Sequence, residues 1–174
     1  MENSIMEPRQ ASASSSLITS EALREHWQSH RRLTRRLIEA FPEKEFFEFS
    51  IGGMRTCAGL MMEVMHIAAP GIKGMVTGVW NNNDDLASFG DDNVPTSKEE
   101  VLRIWDAITE RIDALWPQIT PERFHEKDKA FGQYEGTILS FVLYFIDNEI
   151  HHRGQAYVYL RALGIEPPAF WDRS

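Results

Sequence analysis

The sequence predicts an all-α four-helix bundle, and three observations carry that prediction. Apolar residues recur at alternating spacings of three and four in four long segments. Those segments are bounded by residues that start or stop helices, while strand-type alternation is nearly absent. At 174 residues and 43% hydrophobic, the chain suffices for one domain with a real core.

Residues 1–18 are polar and serine-rich and read as a disordered lead-in to a single domain over 19–174. The first helix starts at Thr19 or Ser20, carries Leu23, Trp27, His30, Thr34, Leu37 and Phe41 on one face, and ends at Pro42. Phe46-Phe47-Glu48-Phe49 reads as an ordered loop or turn before Gly52-Gly53. A second helical pattern spans about Met54 to Trp80, with a kink or break expected at Pro70-Gly71. Residues 81–95 read as a long surface loop. The third helix opens with overlapping capping boxes, Thr96 to Glu99 and Ser97 to Glu100, and closes at Pro117. After an irregular stretch over 118–135, with one helical turn expected near Pro121, the fourth helix spans Gly136 to Leu163. Gly164 is its expected C-terminal cap.

The balance of 18 Lys+Arg against 26 Asp+Glu argues against a nucleic-acid backbone as the main partner. Arg31, Arg32, Arg35 and Arg36 form a local basic cluster that reads as a solvated helix face. The single cysteine, Cys57, excludes an internal disulfide framework. No apolar run is long enough to span a bilayer, and the polar start lacks a secretory core, so a cytoplasmic setting is expected.

The octet Asn148-Glu149-Ile150-His151-His152-Arg153-Gly154-Gln155 stands out inside an apolar helical pattern. Residues three and four apart share a helix face, so Asn148, His151, His152 and Gln155 form one polar strip with Glu149 at its edge. His152 falls on the core stripe, where a polar group needs a partner. Glu63 and His66 supply a carboxylate and an imidazole on the second helix, ligand types suited to zinc, nickel, iron or manganese. Bundle cores build metal sites from such facing side chains, and a core histidine with a buried hydrogen bond is the competing reading. His26 and His30 have a metal-type spacing, but His30 more simply fills a rim position. Arg153 suits an anionic substrate, the orientation of a neighbouring helix or an ordinary salt bridge, and His151 a surface or interface pair with Asp147. Gly154, costly in mid-helix, suggests a close helix approach or a ligand.

His151-His152-Arg153-Gly154-Gln155, followed by Tyr159-Leu160-Arg161 and Leu163-Gly164-Ile165-Glu166-Pro167-Pro168, resembles the last helix of the DinB-like family. Gly53-Met54-Arg55-Thr56 resembles a second family landmark, and the resemblance covers roughly residues 20–170. It implies an up-up-down-down bundle, a homodimer, and a divalent metal (zinc, nickel or manganese) held by three histidines. The implied ligand positions fall on Asn148, on His152, and on Glu63 or, in a shifted alignment, His66. Relatives include transferases and isomerases that use low-molecular-weight thiols such as bacillithiol or mycothiol. The resemblance therefore implies a metal-dependent thiol S-transferase or isomerase, with Arg153 and His151 near the substrate and no catalytic residue assigned. Asn148 departs from the histidine pattern and motivates the alternative: a non-catalytic stress-response or small-ligand-binding bundle with a degenerate metal site.

Overall fold

The structure is a computed structural model that describes residues 17–81, 85–87 and 94–174. Most of the lead-in predicted over 1–18, and much of the loop predicted over 81–95, lie outside the described residues. The rest is built around four long helices: α1 (Ser20–Ala40), α3 (Cys57–Thr77), α4 (Lys98–Leu115) and α5 (Ile138–Ala162). A short helix, α2 (Glu43–Glu48), stands where the sequence suggested an ordered loop or turn. Its Phe46 is fully buried and packs against Phe41, so tertiary contact stabilises a segment too short to show periodicity.

Each long helix begins at a hydroxyl cap. Thr19, Thr56, Ser97 and Thr137 accept hydrogen bonds from the backbone N–H of Ala22, Gly59, Glu100 and Ser140 respectively. Ser97, rather than Thr96, is thus the cap of α4. Of the kink or break that Pro70-Gly71 predicts, the break does not occur, since helix α3 runs through Pro70. At the end of α5, Gly164 takes φ 76° while the N–H of Ile165 returns to the carbonyl of Leu160.

The helices pack in the ring α1–α4–α3–α5. Lys98, opening α4, reaches the carbonyl of Phe41 just beyond α1, while Arg24 near the start of α1 meets Asp113 near the end of α4. These two helices are antiparallel. Tyr159 bonds the carbonyl of Arg55 and Gly71 lies against Phe145, so α5 is antiparallel to α3. Asp85 pairs with both Lys73 and Arg111, near the ends of α3 and α4, which makes those two parallel. The four-helix bundle is as expected, but its directional order is up-down-down-up, which corrects the up-up-down-down order. The physical reason is the separation of α3 and α4 by residues 78–97, long enough in sequence for α4 to begin at the same end of the bundle as α3.

The sequence also missed a β-hairpin. Strands β1 (Lys127–Ala130) and β2 (Tyr134–Thr137) pair antiparallel from Lys127↔Thr137 to Ala130↔Tyr134. Its turn takes positive φ at Phe131 (53°) and Gly132 (70°). Four-residue polar strands carry too little alternation to be read from sequence. Two 3-10 turns, Trp116–Gln118 and Arg123–His125, lead into this hairpin, the second lying just beyond the turn predicted near Pro121.

Candidate functional site between α3 and α5

The cap at Thr56 sets the phase of α3 so that Glu63, seven residues on, faces α5. Thr137 does the same for α5, placing Asn148 and His152 one turn apart on the side that meets α3. Glu63 Oε1 accepts hydrogen bonds from His152 Nε2 at 2.9 Å and from Asn148 Nδ2 at 3.3 Å. Glu63 Oε2 pairs with the guanidinium of Arg55, which lies just before the Thr56 cap. On the other side of the imidazole, His152 Nδ1 lies 2.9 Å from Gln155 Oε1.

His152 is 5% exposed, whereas the Glu63 side chain keeps 30% of its surface in solvent. The cluster is therefore buried at its imidazole and open at its carboxylate. Burial pushes the Glu63 carboxyl up, but the bonds from His152, Arg55 and Asn148 outweigh it and hold the group below its ordinary value.

Of the two second-helix candidates, Glu63 joins Asn148 and His152. His66 Nδ1 instead lies 2.8 Å from the carbonyl of Ala87. His151 is exposed, with its ring edge-on to His152 at 5.1 Å. Arg153 turns away from the cluster into the α1 interface. It donates to His30 O at 3.2 Å, Thr34 Oγ1 at 3.0 Å and His30 Nδ1 at 2.8 Å. An anionic substrate at the Glu63–His152 cluster would not meet it. Gly154 is exposed with open space above it, so no close helix approach explains it.

Two groups of residues went unread in the sequence. Arg55 was visible only as part of a landmark, because it precedes the Thr56 cap, where helical spacing places no side chain. The second group is a buried ionic network. Arg31, expected on a solvated face, is fully buried, with its guanidinium 3.7 Å from the Trp105 ring centroid. It donates to Thr109 Oγ1 at 2.7 Å and Trp105 O at 3.0 Å, and approaches Glu149 at 3.8 Å. Glu149, also fully buried, accepts from Thr34 at 2.6 Å and lies 3.8 Å from Arg153. Burial raises the Glu149 carboxyl and lowers Arg31 to about 10. His30 fills no rim position: it is 2% exposed, and burial with the neighbouring Arg153 lowers it to about 3.

The donor set does not fit a three-histidine metal centre. It offers one imidazole, one carboxylate whose second oxygen is engaged by Arg55, and one amide that donates to that carboxylate. Among the described residues, no three His, Cys, Asp or Glu side chains converge on a common point. A divalent cation here would have to compete with the Arg55 guanidinium for the only carboxylate.

The fold has solved counterparts. A DinB-like protein from Bacillus cereus superposes with a TM-score of 0.65 at 17% identity, covering 87% of this chain and 97% of the other. A DinB-like protein from Bacillus subtilis, YjoA, gives a TM-score of 0.67 at 22% identity, covering 87% and 99%. At these identities the likeness speaks to the fold alone. No curated protein matches the chain. The sequence model of the DinB family, however, matches residues 14–173, nearly the whole length. The chain belongs to the DinB family.

Proposed function

We propose that this DinB-family bundle binds a small organic ligand through a metal-free polar site formed by Glu63, Asn148, His152 and Arg55. One observation supports this above the others: Glu63 Oε1 accepts from both His152 and Asn148 while Oε2 pairs with Arg55, so the cluster is satisfied without a cation. Its exposed rim offers donors on Arg55 and Asn148 beside an acceptor carboxylate. That mixture suits a neutral hydrogen-bonding group, such as an amide or alcohol, better than a strong anion or cation.

The 2.9 Å approach of Glu63 Oε1 to His152 Nε2, with Gln155 oxygen against Nδ1, supports a second reading. In it the pair binds a divalent metal and the chain acts with a low-molecular-weight thiol. Metal content of the untagged protein, before and after incubation with zinc, nickel and manganese, separates the two. The first reading expects negligible metal, with small amides and alcohols perturbing the His152 imidazole protons in an NMR titration. Near-stoichiometric metal that disappears in His152→Ala would overturn it in favour of the thiol-dependent enzyme.

A further inference from the structure

One helical turn from the polar cluster, the same α3–α5 seam opens into a cavity of about 380 Å³. Ile67 of α3 follows Glu63 by four residues, and Tyr144 of the antiparallel α5 precedes Asn148 by four, so both helices step in the same direction. The hairpin closes the far side with Phe131 and Tyr134, and Phe141 and Phe145 add further rings. The volume lies in the range that small-molecule sites occupy.

The aromatic floor is built rather than incidental. Trp80 stands behind it, edge-on to Phe141 at 5.2 Å and to Phe131 at 5.5 Å. A Cβ at Gly71 would collide with the Phe145 ring, and one at Gly74 with Trp80. At Gly136 it would meet Ser140 Oγ at 2.6 Å and the Phe141 ring at 3.0 Å. Three glycines thus let these rings sit against the backbone. The rings of Tyr134 and Tyr144 remain 62% and 57% exposed at the rim. Such a wall offers ring faces and edges to a flat guest, an arrangement favoured beyond simple area burial.

We infer that this groove is the subsite for a planar aromatic portion of the ligand, whose polar end reaches Glu63, Asn148 and His152. The inference rests on the polar-site reading for the far end of the ligand, but the groove itself can be tested separately. The ligand class is an uncharged aromatic of about two fused rings carrying a hydroxyl or amide, small enough to enter a cavity of about 380 Å³.

The experiment is isothermal titration calorimetry with 2-naphthol and with its saturated counterpart, decahydro-2-naphthol. It uses the intact chain, the Tyr134→Ala/Tyr144→Ala double variant, and His152→Ala. Both tyrosines are largely exposed, so the double variant keeps its fold, which circular dichroism checks. The groove predicts one-to-one binding of 2-naphthol, with affinity falling about tenfold for the saturated compound and about tenfold in the tyrosine variant. Weaker 2-naphthol binding in His152→Ala supports both ends of the arrangement. Unchanged binding there, with loss in the tyrosine variant, keeps the groove and removes the polar end. Equal affinity for the two naphthols, an indifferent tyrosine variant, or no binding at all overturns the groove.

Discussion

Replacing Glu149 with leucine removes the only carboxylate held between Arg31 and Arg153 in the α1–α5 interface. Arg31 is fully buried and Arg153 is 6% exposed, so neither guanidinium can recover a full water shell. Breaking a buried pair from one side costs about 3–5 kcal/mol. Arg31 keeps its bonds to Thr109 and Trp105 and its contact with the Trp105 ring, and Arg153 keeps those to His30 and Thr34. The lower end, about 3 kcal/mol, is therefore the expected loss. For a domain of this size it corresponds to a fall in Tm of roughly 6–12 °C. Urea unfolding followed by circular dichroism measures it directly. The double variant Arg31→Met/Glu149→Leu should recover at least about 1 kcal/mol relative to the sum of the single changes, because it removes both charges of one contact. A Glu149→Leu loss below about 1 kcal/mol, the value of a surface pair, would refute the reasoning.

Two further outcomes follow from the same interior and from the outer face of α5. His30 is held near 3 against an ordinary value of 6.5, so below pH 6.5 the unfolded chain takes up a proton that the folded chain refuses. Its contribution is complete above about pH 6.5 and declines as pH falls toward 3. His30→Gln should flatten that limb of a stability curve measured between pH 7 and pH 4, and an unaltered slope would count against the assignment. Gly154→Ala should stabilise the protein by about 0.5–1 kcal/mol, since the added methyl enters open space and removes a mid-helix glycine. A loss of stability instead would show that another surface, such as a second copy of this chain, packs on α5 at that point.

The fold was legible where local chemistry repeats. Four long helices, the hydroxyl caps of α1 and α4 and the Gly164 terminus follow from spacing and cap residues, because a helix ten or more residues long displays its buried stripe several times over. The polar octet on α5 was legible for the same reason: His152 falls on an apolar stripe, so its partner had to come from a facing helix. Which partner was not legible. Glu63 and His66 lie three residues apart on one helix, and only the packing of α3 on α5 turns Glu63 to His152 and leaves His66 to the Ala87 carbonyl. Arg31 was misread because the run of Arg31, Arg32, Arg35 and Arg36 looks uniformly solvated in sequence, whereas helix phase buries the first of them beneath Trp105. Helix direction and the hairpin belong to the same class. They depend on where a long connection leaves the chain, and on short strands stabilised by the surface they cover. Sequence alone determined the apolar stripe of each long helix; tertiary structure decided which stripes meet and which polar residues are buried between them, because contact between distant segments depends on the relative phase and direction of two helices, and neither is encoded within a single segment.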